Sequence, residues 1–190
     1  QLSRILQWKS TKVAPVAQPQ MAQLYQPIRD PYEIRVLKLH PGTGTDKLRG
    51  ALLHCSVEPD PPAGSRYRWA VSMNDLKTMV CYTALSYCWG QQKFDASIEC
   101  DGYEKRITES LEGAIRQLRH PKHTVVLWID QICINQDDNK EKEQQIPLME
   151  RIYSRALNSV IWLGEGKDDS DVAMNLLDRI NWCLQFSFAN

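Results

Sequence analysis

A chain of 190 residues carrying 23 basic and 23 acidic side chains has no net field with which to gather nucleic acid or an anionic membrane, and its length suits one well-filled core with an arm better than two full domains. No apolar stretch approaches the roughly 20 residues that span a bilayer, and the N-terminus lacks the basic-then-apolar layout of a secretory signal. The cysteines, Cys55, Cys81, Cys88, Cys100, Cys133 and Cys183, are scattered without a CxxC pair, so they read as reduced thiols of a cytoplasmic protein and not as a disulfide framework or a structural zinc site.

Residues 1–32 read as an arm or linker, because Arg4, Lys9, Lys12 and Arg29 have no acidic partner before Asp30 and VAPVAQPQ interrupts any regular element. The other reading is a short docking helix that presents Leu2, Ile5, Leu6 and Trp8. The domain proper then covers residues 33–190, and the missing initial Met marks the chain as a piece of a longer protein. IRVLKLH alternates apolar and other residues, PGTGTD is a turn cluster, and LRGALLHCSV is again strand-like, so the two runs predict an antiparallel pair at a sheet edge. Glu58 to Gly64 is a loop on its prolines and glycine, and Arg66 to Met79 is strand or helical turn.

Tyr82 to Gly90 predicts an apolar strand that ends in aromatic residues and a glycine. SIECDGYEKRIT predicts a hairpin about Asp101-Gly102, a pair suited to positive φ at both turn positions. Thr108 caps a helix with Leu111, Ala114, Ile115 and Leu118 on one face, and His120-Pro121 ends it.

The organising stretch is Thr124 to Gly164. Two apolar runs, Val125 to Ile129 and Ser159 to Leu163, are separated by about thirty residues of helical periodicity, which predicts a β-α-β unit with adjacent parallel strands. Leu85, Val126, Ile129, Ile161 and Leu163 are the expected core. Between the runs, Asp138 and Glu141 are spaced as a capping box, Met149, Ile152, Tyr153 and Ala156 form a stripe, and Pro147 predicts a kink or a fresh start, since a proline inside a helix costs ~3 kcal/mol. Asp171 to Phe188 predicts a last helix.

In parallel sheets ligands collect beyond the carboxyl ends of the strands, where this chain carries Ser86, Tyr87, Trp89 and Gly90, then Asp130, Asn135 and Gln136, then Gly164 and Glu165. Asp130 can act as a binding carboxylate or can cap amides of the QICINQ turn. Ser86, Tyr87 and Trp89 can wall a nucleotide or pack at the rim, and Glu141 with Gln145, one helical turn apart, can hold the INQ loop or pair on the surface. Cys133 reads as structural, and no metal cluster, triad or phosphate-binding glycine fingerprint is present.

YTALSYCWG, LWIDQICINQ and EKEQQIPLMERIYSRALNSVIWLGEG resemble, in order, the three signature blocks of the fungal heterokaryon incompatibility (HET) domain, with IRVLKLHPG and ITESLEGAIRQLR where that family has comparable segments. The resemblance implies an effector of nonself recognition, a form of fungal innate immunity, whose activation triggers programmed cell death. It also implies likeness to the Toll/interleukin receptor (TIR) domain, and hence an α/β three-layer, flavodoxin-like fold: a parallel core sheet of LSYCWG, LWID and VIWLG with added antiparallel strands and a hairpin. Some TIR relatives cleave NAD with a glutamate after the third core strand, a place that Glu165 occupies here. The implied roles are Glu165 and Asp130 as catalytic carboxylates, Ser86, Tyr87, Trp89, Gly90, Asn135 and Gln136 as substrate contacts, and Glu141 and Gln145 as structural motif. NAD enters as a substrate with no bound cofactor. Other TIR relatives only assemble, so self-association or pairing with another incompatibility protein is the competing account.

Overall fold

In Glu33–Leu39 (β1), Ile34, Val36 and Lys38 point one way and Arg35, Leu37 and Leu39 the other, and all but Lys38 of these six are buried. Burial on both faces requires neighbours on both sides. The computed structural model, which describes residues 24–57, 80–90, 93–166, 170–172 and 174–176, supplies them. Beside β1 lie Arg49–Ser56 (β2) and Val125–Trp128 (β6), both antiparallel to it, with Leu37 opposite Leu52 and Leu127. The predicted antiparallel pair is therefore present, but in the middle of the sheet and not at its edge.

The whole sheet is mixed. With Thr83–Tyr87 (β3), Ala96–Cys100 (β4), Tyr103–Ile107 (β5) and Asn158–Trp162 (β7), its order is β5-β4-β2-β1-β6-β3-β7. β6, β3 and β7 form a parallel end. The hairpin β4–β5 turns as expected through Asp101 at φ 50° and Gly102 at φ 83°. The α/β class thus stands, while the antiparallel β1 in the centre departs from an unbroken parallel core.

The β-α-β unit exists with one strand skipped. β3 lies between β6 and β7, so β7 is an edge strand. This corrects two expected core positions: Leu85 and Ile129 are buried and Val126 is half-buried, but Ile161 and Leu163 are 69% and 79% exposed. An edge strand has one lateral neighbour, and its face on the Ile161 side is uncovered.

Helices lie on both faces of the parallel end. Glu109–Leu118 (α1), capped by Thr108 as expected, passes close enough that a Cβ on Gly113 would sit 3.5 Å from Trp162. Asp130–Cys133 (α2) is one turn. Asn139–Gln145 (α3), capped by Asp138, runs into a 3-10 turn at Ile146–Leu148 and then Met149–Arg155 (α4). Pro147 lacks the N–H that an unbroken helix would need, so the ladder shifts to the tighter turn there. Ile152 is buried with Tyr153 beside it, and the Tyr153 ring meets Trp128 edge-on at 5.7 Å. Trp128 pairs in register with Ala84 and Trp162 with Tyr87, so α4 and α1 occupy opposite faces.

Residues 1–23 of the expected arm, the 58–79 segment and most of the tail helix lie outside the described residues; residues 170–172 and 174–176 are helical. Residues 24–26 belong with the sheet: Leu24 and Tyr25 are buried, and the Tyr25 hydroxyl donates to Ile132 O at 2.9 Å. A polar knot ties them in. Arg35 forks onto Glu141, Nη1 to Oε1 at 2.7 Å and Nη2 to Oε2 at 3.0 Å, and also donates to Cys133 O and Gln26 O.

Because that ion pair is buried, removing one partner strands the other charge. Glu141→Ala is expected to cost roughly 3–5 kcal/mol, whereas Ile161→Ala, at an exposed position, should stay within about 0.5 kcal/mol. Urea midpoints of the two variants check both; equal losses would contradict the assigned strand order.

Candidate functional site

The carboxyl ends of β3 and β6 meet in a patch of aromatic and carboxyl groups. β6 ends at Trp128, Ile129 enters α2, and Asp130 is the first residue of that turn. Its Oδ1 accepts from Gln131 N at 2.7 Å and its Oδ2 from the Trp89 indole at 3.0 Å. The expected capping of a backbone amide is therefore present on one oxygen, while the other accepts from Trp89, just beyond β3.

Burial pushes the Asp130 carboxyl above its usual value, only partly opposed by the hydrogen bonds from Gln131 and Trp89. The Tyr87 hydroxyl is raised by burial and by the nearby Asp130 charge. It stands close to that carboxylate yet makes no hydrogen bond of standard geometry. Tyr153 is also raised by burial, and its hydroxyl donates to Leu85 O at 3.1 Å. Ser86, Tyr87 and Trp89 are half-buried and Gly90 is exposed. Such a patch offers a proton-accepting carboxyl, an indole donor and two phenols beside a planar wall.

The turn after Asp130 is held from several sides. Gln136 donates its side-chain amide to Asp130 O at 2.8 Å, and Asn135 N donates to Glu141 Oε1 at 2.7 Å. Glu141 thus does not return to the Asp138 amide as a capping box would; it joins the INQ loop to Arg35. Gln145, one turn further, donates to Glu33 O at 2.9 Å. Glu141 and Gln145 hold different partners and do not pair on the surface. Cys133 is buried, its thiol pushed up to about 12 by burial, as a structural cysteine should be.

Glu165 is apart from this group. It follows β7, is exposed, and has no hydrogen-bond partner among the described residues. With β3 intervening and strands about 4.8 Å apart, β6 and β7 are separated laterally by about 10 Å, and β7 ends level with Tyr87 whereas β6 ends level with Ala84, so the two carboxylates lie at the same end of the sheet on loops of different strands. Gly164 is required there by its φ of 102°; a Cβ on it would meet no protein atom within 4 Å.

Sequence reasoning missed Arg35, Tyr25 and Lys105, all buried. For Arg35 a signal existed, since its strand face also carries Leu37 and Leu39, which a solvated face would not. Tyr25 sits in a segment without periodicity, and nothing local marks it.

The sequence pattern described as Heterokaryon incompatibility protein (HET) matches residues 82–187, more than half of the chain. The chain belongs to the HET family. The match runs from the start of β3 past β7 and holds every predicted site residue, while Arg35 and Tyr25 lie outside it. The chain is also 37% identical over 161 residues to Heterokaryon incompatibility protein 6, OR allele, of Neurospora crassa, an alignment covering 77% of this chain and 21% of that protein. The HET chain described here thus spans about a fifth of that relative's length. No solved structure matches it.

The raised Asp130 carboxyl gives this HET domain a pH signature. Between the usual 3.8 and the raised folded value, the fold holds a proton that the unfolded chain has released, so stability is greatest below that range and falls as pH rises through the folded value. Asp130→Asn should therefore gain on the wild type as pH is raised from about 4 to about 7. Urea midpoints measured across that range check the sign; a wild type that gained on the variant would reverse it.

Proposed function

We propose that this HET domain is the effector part of a fungal incompatibility protein, acting in the cytoplasm, and that it hydrolyses NAD to trigger programmed cell death on nonself recognition. The observation that carries the reading is Asp130, a carboxyl raised by burial at the end of a parallel strand, bonded to Trp89 and faced by Tyr87. Parallel β6, β3 and β7 with helices on both faces support a TIR-like core. The name of the Neurospora relative supports the incompatibility role.

In the reaction the bond from ribose C1′ to the nicotinamide nitrogen breaks, neutral nicotinamide leaves with the electron pair, and water adds to C1′ and releases a proton. Positive charge develops on the ribose, and a fixed carboxylate beside it stabilises the transition state more than the ground state. Glu165 is assigned that task, on the open loop after β7, and Asp130 holds its turn and can receive the proton from water. Ser86 and Tyr87 from β3 and Trp89 and Gly90 just after it, with Asn135 and Gln136 from the loop after α2, are the assigned substrate contacts.

A second reading, assembly without chemistry, is favoured by one observation. β7 is an edge strand with no charged residue, exposing Ile161 and, just beyond it, Leu163, whereas the opposite edge strand β5 carries Glu104, Lys105 and Arg106. Charges guard an edge against pairing, and their lack leaves β7 open to a second copy or to another incompatibility protein.

Incubating the pure domain with NAD and quantifying nicotinamide by chromatography tests the first reading. Glu165→Gln keeps the shape and removes the charge, so it should lower turnover by roughly 100-fold or more, with Asp130→Asn milder. If the concentrated wild type released no nicotinamide and Glu165→Gln still killed cells, assembly would replace hydrolysis.

A further inference from the structure

The α2 turn cannot hold itself. One turn of helix lies below the length at which helices persist unaided, and its last carbonyls have no partner within the turn. Two of them are met from far away in the chain: Ile132 O by the Tyr25 hydroxyl at 2.9 Å and Cys133 O by Arg35 at 3.3 Å. Arg35 in turn donates to Gln26 O at 2.6 Å. The Tyr25 ring also lies under two cations, with the Arg35 guanidinium 5.0 Å and the Lys105 ammonium 5.1 Å from its centroid. Residues 24–26 therefore contact the turn, the central strand β1 and the hairpin strand β5 together.

We propose that residues 24–26 are a latch that holds the α2 turn, and with it Asp130, in its buried setting, so that Tyr25 is a positioning residue for the site. Any force on the segment before Leu24, such as a partner seizing it, would then reach Asp130 directly through Tyr25 and indirectly through the Gln26–Arg35–Cys133 bonds. Several features favour a latch over ordinary packing. The Tyr25 hydroxyl meets an end carbonyl of the turn two residues beyond Asp130. The contacts of the latch with the domain are chiefly polar or cationic, apart from Leu24 and the ring itself. It also lies outside residues 82–187, the span of the HET family pattern.

The inference rests on reading Asp130 as the carboxyl of the site, and its test reads Asp130 directly, without any activity. The indole N–H of Trp89 donates to Asp130, so its nuclear magnetic resonance signal, assigned by its loss in Trp89→Phe, should titrate with that carboxyl and stop titrating in Asp130→Asn. The phenols facing Asp130, Tyr87 and Tyr153, are raised away from this range and do not interfere. Tyr25→Phe removes only the hydroxyl, and Tyr25→Ala removes the ring as well. Since burial is the largest cause of the raised Asp130 value, loosening the turn should lower the Trp89 midpoint, by about half a pH unit or more in Tyr25→Phe. Ile98→Val, a truncation in the β4 core that leaves the Tyr25 hydroxyl bond to the turn in place, should leave the midpoint unchanged. An unchanged midpoint in folded Tyr25→Phe, or an equal shift in Ile98→Val, would overturn the latch. Should Tyr25→Ala fail to fold, Tyr25→Phe alone decides. Absence of NAD cleavage would count against the enzymatic reading and leave the latch standing.

Discussion

A guanidinium in the middle of a sheet is the constraint on which this structure depends. Arg35 occupies the central strand at 1% exposure, and the transfer of its charge out of water is unfavourable by several kcal/mol unless geometry compensates. The compensation is a fork onto both oxygens of Glu141, at 2.7 and 3.0 Å, with two carbonyls taking further donors. An apolar residue of like volume could fill the space. It could not serve Gln26, Cys133 and Glu141 at once, and these lie on three segments that are distant in sequence. Arg35 therefore works as a junction, and Glu141 extends it by accepting the Asn135 amide. Its Nε has no partner, so the junction is satisfied on the fork side only.

The site inherits its shape from that junction and from the order of the strands. β1 fixes where the α2 turn sits, since Arg35 of that strand bonds its last residue. The insertion of β3 between β6 and β7 then decides which groups face Asp130: Tyr87 at the end of the neighbouring strand and Trp89 just after it, and not Glu165, which follows the strand beyond. The same insertion leaves β7 outermost. Its apolar residues serve the core on one face, through Val160 and Trp162, and meet solvent on the other through Ile161. A strand that reads as buried on both faces is thus half of an edge, which is why the catalytic and assembly readings draw on the same region of the fold.

Much was legible from local pattern. The Asp101-Gly102 hairpin, the Thr108 and Asp138 caps, the apolar face of α1 and the break at Pro147 depend on residues within one turn or one hairpin, and each formed as the pattern dictates. So did the strands, within a residue or two except at Tyr82 to Gly90, where the strand ends at Tyr87. The signature blocks from Tyr82 to Gly166 announced the HET family because they are long stretches of contiguous residues.

By itself, then, the sequence determined which segments are strands and helices, where they turn, and that Asp130 would follow a buried strand; these follow from backbone preferences and side-chain periods that neighbouring residues set. Only the tertiary structure decided that β1 is central, that β3 separates β6 from β7, that Ile161 and Leu163 face water, and that Arg35, Tyr25 and Glu141 share one junction. The physical reason is that a strand's pattern records how many of its faces are covered but not by which partner. Partner choice is set by contacts between residues about a hundred positions apart, such as Arg35 with Glu141 and Tyr25 with Ile132, and no local period encodes them.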